Sequence, residues 1–197
     1  KAAMDGWGTD EEALIKLICS KTSKQMQDVN AKFKELYDKE LITRVKNETS
    51  GNFQATMLAA IRHPSEQLAH SVRYCMEGWG TDDTGLITLL VHLPDYKKES
   101  LRTTYHKLFA RDLIKDIKGD TSGDYQNALC ALVRPAPEVW ADALHGAMKG
   151  LGTSDELLIN FLAVAKDEME EVRQAFYKKT QQPLSDWIEG ECSGDYK

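Results

Sequence analysis

The sequence lacks most of the features that would assign it to a familiar functional class. No run of about 18 or more apolar residues occurs in the 197 residues, so no segment reads as a helix long enough to span a bilayer. No cationic stretch precedes an apolar run at the start, so a secretory signal is not expected. Cysteine is scarce, with four residues (Cys19, Cys75, Cys130 and Cys192), and none forms a C-x-x-C pair. That removes the signature of zinc ribbons and thioredoxin-type redox sites. Cys19, Cys75 and Cys130 lie among apolar residues at helical spacing and read as small buried hydrophobes with free thiols. Together these absences favour a reducing, cytoplasmic compartment.

Signatures of catalysis are missing too. The five histidines (His63, His70, His92, His106 and His145) make no H-E-x-x-H and no Cys/His cluster. No EF-hand string, P-loop or Gly-x-Ser-x-Gly occurs. Gly78-x-Gly80 followed by Gly85 has no strand before it and is no dinucleotide fingerprint. With no nucleophile–base or metal constellation, enzymatic activity is not expected. Period-2 alternation is absent, so strands are not expected.

Charge sets a constraint. Twenty-five basic against 31 acidic residues give a formal net charge of −6. Such a chain is repelled by nucleic acid and by anionic phospholipid alike. Either its partner is neither, or something positive bridges the two. A nucleic-acid partner is not expected.

What the sequence does have is a repeat. Gly6-Trp7-Gly8-Thr9-Asp10, Gly78-Trp79-Gly80-Thr81-Asp82 and Gly150-Leu151-Gly152-Thr153-Ser154 recur every 72 residues. A second landmark follows each: Thr49-Ser50-Gly51-Asn52-Phe53, Thr121-Ser122-Gly123-Asp124-Tyr125 and Cys192-Ser193-Gly194-Asp195-Tyr196. Leu14-Ile15, Leu86-Ile87 and Leu158-Ile159 keep step, as do Leu41, Leu113 and Leu184. The third copy is one residue shorter, lost near Ala165-Lys166, which reads as a turn between helices. Units are expected at 1–64, 65–136 and 137–197.

Each unit reads as about five short helices, an all-α architecture. Leu68, Val72, Cys75 and Met76 share a helical face before the loop. Thr9 with Glu12, and Thr153 with Glu156, have the spacing of a capping box, and Thr81 faces Thr84 instead. Met26, Val29, Phe33, Leu36 and Tyr37 make a longer amphipathic helix. Leu41, Ile42 and Val45 make a short one, and Phe53 to Arg62 makes a fifth. Pro64, Pro94, Pro135 and Pro137 fall at expected joints. Arg62 and Arg134 recur at one repeat position and are expected to cap helix carbonyls. Arg102, His106, Lys107 and Arg111 read as a solvated face, and Trp140 and Trp187 as core.

Two glycines in three residues suit a tight turn. They do not explain why an acid returns at a fixed distance. Thr9 and Glu48 are 39 apart, as are Thr81 and Asp120, and Glu191 holds the same place before Gly194. Calcium chemistry accounts for both halves. A glycine-rich turn can aim several carbonyls at one centre, and a distant carboxylate can close it. Three carbonyls and a bidentate carboxylate give about five oxygens, whereas calcium takes about 6–8. The remainder is open to water or to a lipid phosphate, which supplies the positive bridge that the net charge demands. Trp7, Trp79 and Leu151 stand between the glycines, at a loop tip. Two are Trp, which favours bilayer interfaces, and insertion among headgroups is expected.

The motif, its spacing and its threefold recurrence resemble the annexin family over essentially the whole chain. The resemblance implies tandem repeats, each a right-handed superhelical bundle of about five short helices. It implies Ca2+ bound by the carbonyls of Met4, Gly6 and Gly8 with the Glu48 carboxylate. The second set would be Met76, Gly78, Gly80 and Asp120, and the third Met148, Gly150, Gly152 and Glu191. The implied activity is calcium-dependent, reversible binding to anionic phospholipid, with the protein cytoplasmic and peripheral on membranes when calcium rises. The alternative is a structural, cytoskeleton-associated annexin-like protein that binds filaments. The family usually places Lys or Arg before the first loop glycine. Lys149 conforms, as a further membrane contact, whereas Asp5 and Glu77 are acidic. Annexins usually carry four repeats and this chain holds about two and two-thirds, so a fragment of a longer protein is expected.

Overall fold

The computed structural model describes residues 4, 9–149 and 155–191. Everything regular among them is helical. The first unit contains α1 (Glu11–Cys19), α2 (Ser23–Tyr37), α3 (Leu41–Glu48) and α4 (Gly51–Ile61). The second has five helices: α5 (Pro64–Cys75), α6 (Asp83–Leu90), α7 (Asp95–Phe109), α8 (Leu113–Asp120) and α9 (Gly123–Leu132). The third contains α10 (Ala136–Met148), α11 (Asp155–Val164), a 3-10 turn (Ala165–Glu168), α12 (Met169–Thr180) and α13 (Leu184–Glu191). The one-residue deletion thus falls at a short 3-10 connection.

Each unit buries a core drawn from its own helices. Met4, Leu14, Ile18, Met26, Val45 and Ile61 form the first. Val72, Leu86, Leu90, Leu101, Tyr105 and Ile117 belong to the second. Leu144, Met148, Leu158, Val172, Phe176 and Leu184 belong to the third. The repeat registers agree: Leu14, Leu86 and Leu158 are all buried, as are Leu41, Leu113 and Leu184. Trp140 and Trp187 are half-buried against the third core.

The long helix α2 is less submerged than its stripe suggests. Met26 is buried, but Val29, Leu36 and Tyr37 remain exposed. Cys19, the last residue of α1, is also exposed, in contrast to Cys75 and Cys130, which are buried in the second unit's core. Burial raises the pKa of the Cys75 and Cys130 thiols and keeps them protonated.

Joints recur as faithfully as cores. α2, α7 and α12 each end in a left-handed residue, Asp38, Ala110 and Gln181, whose N–H returns to the preceding turn. Pro64 and Pro137 lie in the first turns of α5 and α10, where a missing N–H costs nothing. Pro94 lies inside the second unit instead of at its edge, as the N-cap of α7. Arg62 is the C-cap of α4 through its main chain, but the side chains of Arg62 and Arg134 turn to the helix that follows. Arg62 donates to Gln67 Oε1 at 3.1 Å, in the next unit's first helix. Arg134 reaches Glu138 Oε2 at 3.2 Å, the Glu138 carbonyl at 3.3 Å and Asp142 Oδ2 at 2.5 Å, all on α10. Acids and an amide one to two turns into the next helix outcompete carbonyls as partners for a guanidinium. Arg102 and Arg111 are likewise paired, with Glu99, Glu138 and Asp116, so their face is not merely solvated.

Candidate calcium-binding loops

The second loop is the most completely described. Helix α5 delivers it: Cys75 and Met76 are buried, and the main chain leaves the core immediately after them. The loop's ends are pinned together by the Asp82 N–H, which donates to the Cys75 carbonyl at 2.8 Å. Between them Gly78 (φ +105°) and Gly80 (φ +88°) adopt backbone conformations that side chains resist. A Cβ would meet nothing at either glycine, so the requirement is conformational, not steric crowding. The carbonyls of Met76, Gly78 and Gly80 accept no hydrogen bond among the described residues. Trp79, between the glycines, is fully exposed at 108%.

The capping differs from the sequence expectation. Asp10 and Asp82 are the N-caps of α1 and α6, accepting from Ala13 N and Gly85 N at 2.9 Å each. This leaves the preceding threonines free for another task. The Thr9 hydroxyl donates to the Glu48 carbonyl at 2.9 Å, and the Thr81 hydroxyl to the Asp120 carbonyl at 3.0 Å. The threonines of the first two loops thereby clasp the residues that the spacing singles out as carboxylate ligands, whereas Thr153 of the third loop lies outside the described residues.

Those acids are placed by a helix end. Glu48 is the last residue of α3 and Asp120 the last of α8. Each helix stops because Thr49 or Thr121 turns extended and its hydroxyl takes up the carbonyl of Val45 or Ile117, both at 2.6 Å. Gln54 and Gln126 complete the stop. Their side-chain amides donate to the carbonyls of Lys46 and Thr49, and of Lys118 and Thr121. Sequence reasoning missed this pair, although their 72-residue recurrence was available as a signal. An acid at a helix C-terminus faces the negative end of the macrodipole, which costs about 0.3–1 kcal/mol. A cation bound there removes that cost. The Asp120 side chain has no ion-pair or hydrogen-bond partner among the described residues.

A network stands behind the second loop. Asp116, one turn before Asp120, is buried and accepts from Arg73 Nη1 at 3.0 Å, Tyr105 OH at 2.7 Å and Arg111 Nε and Nη2 at 2.7 Å. Hydrogen bonding from Arg111 holds its carboxyl below the ordinary carboxylate range, against the opposing effect of burial. Arg73 also donates to Glu77 Oε1 at 2.8 Å, tying the residue before Gly78 to the core.

In the first loop Met4 is buried and its carbonyl accepts from Arg44 Nη2. Arg44 Nη1 lies 3.2 Å from Glu48 Oε1. Gly6, Trp7 and Gly8 lie outside the described residues, as do Gly150, Leu151 and Gly152 of the third loop. Of the third set, Met148 is buried, Lys149 is the exposed C-cap of α10, and Glu191 ends α13. Glu191 repeats the helix-end position of Glu48 and Asp120.

The donor set suits a hard cation. Among the described residues no three His, Cys, Asp or Glu side chains group as a metal site. Carbonyl oxygens with one carboxylate are a donor set that matches calcium rather than zinc.

The family model for annexins matches residues 1–60, 67–132 and 140–197. The chain belongs to the annexin family. Annexin A13 of Mus musculus is 34% identical over 209 residues, spanning 99% of this chain and 66% of the relative. Annexin A6 of Mus musculus is 31% identical over 214 residues, all of this chain but 32% of the relative. The solved structure of annexin III superposes with a TM-score of 0.66 at 26% identity, covering 99% of this chain and 65% of that one. The chain thus spans just under two thirds of the length of the first of these relatives. The all-α repeat architecture read from the sequence is that of its annexin neighbours.

Proposed function

We propose that the chain binds anionic phospholipid membranes reversibly and only with calcium, through its Gly-x-Gly-Thr loops. The observation that carries this reading is the second loop. The carbonyls of Met76, Gly78 and Gly80, which accept no hydrogen bond among the described residues, are clasped by Thr81 to the helix end bearing the Asp120 carboxylate, itself without a partner among those residues. Glu48 with Met4, Gly6 and Gly8, and Glu191 with Met148, Gly150 and Gly152, are the corresponding sets in units taken as 1–64 and 137–197.

Bound calcium would supply a positive centre with open positions for phosphate oxygens. The residues do the rest. Positive-φ glycines hold the carbonyls outward, Thr81 fixes the loop to α8, and the buried Met76 keeps the loop's root still. With one carboxylate per divalent ion the loop becomes net positive, which reconciles a −6 chain with an anionic surface. Trp79 projects from the loop tip into the headgroup layer, and Trp7, Leu151 and Lys149 stand at matching or adjacent loop positions. No helix among the described residues is long and apolar enough to cross a membrane, and the association is peripheral.

Cosedimentation with phosphatidylserine vesicles tests this. The protein should pellet with calcium, return to the supernatant with chelator, and lose most of its binding in an E48Q/D120N double variant that keeps its helicity. If it remains soluble at millimolar calcium yet pellets with filaments, the cytoskeletal reading replaces this one.

A further inference from the structure

One helix position at which the first and second units differ lies against the assigned donor set. Position 116 of the second unit corresponds to 44 in the first and, allowing for the deletion, to 187 in the third. These are Asp116, Arg44 and Trp187. Asp116 is the buried acceptor for Arg73, Tyr105 and Arg111. The first unit's counterparts of those donors are Lys1, Phe33 and Lys39. Acid has become base at the centre, and the phenol has become phenyl. A guanidinium at 44 cannot join such a network, and it finds other acceptors.

We propose that Arg44 is a tethered cation that sets the calcium affinity of the first loop by competing with the ion for its ligands. Arg44 Nη2 donates a hydrogen bond to the Met4 carbonyl, and Nη1 sits 3.2 Å from Glu48 Oε1. Both oxygens belong to the ligand set assigned to this loop, so the inference rests on the calcium reading. The guanidinium thus holds the loop's root against the helix end in the calcium-free protein, offsetting the Glu48 charge and the α3 dipole. Calcium entering there must displace a positive charge already in place. The second loop has no such occupant, since Asp120 has no partner among the described residues and Asp116 is held away by arginines. The second loop is therefore the tighter of the two, and the first fills at higher calcium.

The fraction of molecules in which Arg44 has left Met4 and Glu48 enters the apparent affinity of the first site directly. Calcium titration of the full chain by calorimetry, without lipid, measures this. In a D120N/E191Q background only the first loop reports. R44Q, which keeps length and polarity but not charge, should tighten it about tenfold, and R44K, which keeps the charge, should stay much nearer to Arg. In the calcium-free state R44Q should lower the melting temperature, and added calcium should recover more of the loss than it adds in the R44 parent. An E48Q/E191Q background isolates the second loop, where R44Q should change nothing.

Unchanged or weakened calcium binding in R44Q, with normal binding at the second loop, overturns the role given to Arg44 and leaves the calcium reading standing. Absence of calcium binding at the second loop overturns the calcium reading, and the Arg44 inference with it.

Discussion

The hydroxyl of Thr81 donates to the main-chain carbonyl of Asp120 at 3.0 Å, joining a loop to a helix end 39 residues away. Thr9 and Glu48 repeat this at 2.9 Å. The bond makes the spacing between glycine loop and acid a physical coupling: the loop's last residue holds the backbone of its own carboxylate. Thr81→Val keeps the shape and removes the donor. It should cost about 1 kcal/mol of stability by denaturant titration, and weaken calcium binding at the second loop. Thr81→Ser should restore both. Normal calcium affinity in Thr81→Val would show that the clasp is structural only.

Trp79 stands fully in solvent between two glycines that no packing forces into place. An indole so exposed gains by leaving water for the headgroup layer. Trp79→Ala should lower vesicle binding at fixed calcium, while calcium affinity without lipid stays the same. In the parent the tryptophan emission should shift to the blue on adding calcium and phosphatidylserine vesicles, and that shift should shrink in Trp79→Phe. An unaltered shift would move the membrane contact to another residue.

The Asp116 cluster predicts pH dependence on both sides. Hydrogen bonds from Arg111 lower the Asp116 pKa in the folded state. Its stabilisation is complete above the unfolded carboxylate value and is lost as pH falls below it, through the lowered folded value. Tyr105 moves the opposite way. Burial, helped by the Asp116 acceptor, pushes its phenol from 10 to about 12. Its contribution is complete below pH 10 and disappears between 10 and about 12. Asp116→Asn should cost about 3 kcal/mol at neutral pH, because two arginines lose their counter-charge. It should also flatten the acid limb of the stability profile. Tyr105→Phe should flatten the alkaline limb. Unfolding midpoints followed by circular dichroism across pH would show either limb persisting if these groups are not its cause.

Much of this was legible in the sequence because repetition supplied a control. Leu14, Leu86 and Leu158, or Leu41, Leu113 and Leu184, could be recognised as core by recurring in register, and all are buried. The loops could be recognised because glycine at positive φ leaves a compositional trace. Capping was misassigned for a definite reason. Thr and Asp stand side by side in Gly-x-Gly-Thr-Asp, both are competent N-caps, and local spacing does not choose between them. The choice is made by the distant carbonyl of Glu48 or Asp120, which draws the threonine away. Arg62 and Arg134 were misplaced similarly, since their partners lie on the following helix. Arg44 was invisible as a site residue because its significance lies in breaking the repeat. It occupies the place of an acid, and only the packed structure shows the Met4 carbonyl and Glu48 within its reach. The exposure of Val29 and Leu36 is not legible in the sequence, because periodicity reports an apolar face but not what covers it.

The recurring left-handed joint offers a last prediction, about stability alone. α2, α7 and α12 end at Asp38 (φ 50°), Ala110 (φ 53°) and Gln181 (φ 59°). An L-residue in this conformation brings its Cβ against the following carbonyl, at about 1–2 kcal/mol. Aspartate tolerates it through local hydrogen bonding, whereas alanine has no such compensation. Ala110 is therefore the most strained of the three by side-chain chemistry. Ala110→Gly should stabilise the protein by about 1 kcal/mol, less whatever the added flexibility of the unfolded chain takes back. Asp38→Gly should gain less. Ala110→Val should destabilise, since branching at Cβ sharpens the clash. Because Ala110 lies outside all three ligand sets, calcium binding should not change in any of these variants. A loss of stability in Ala110→Gly, measured by denaturant titration, would show that the joint is held without strain and that unfolded-state entropy decides the balance.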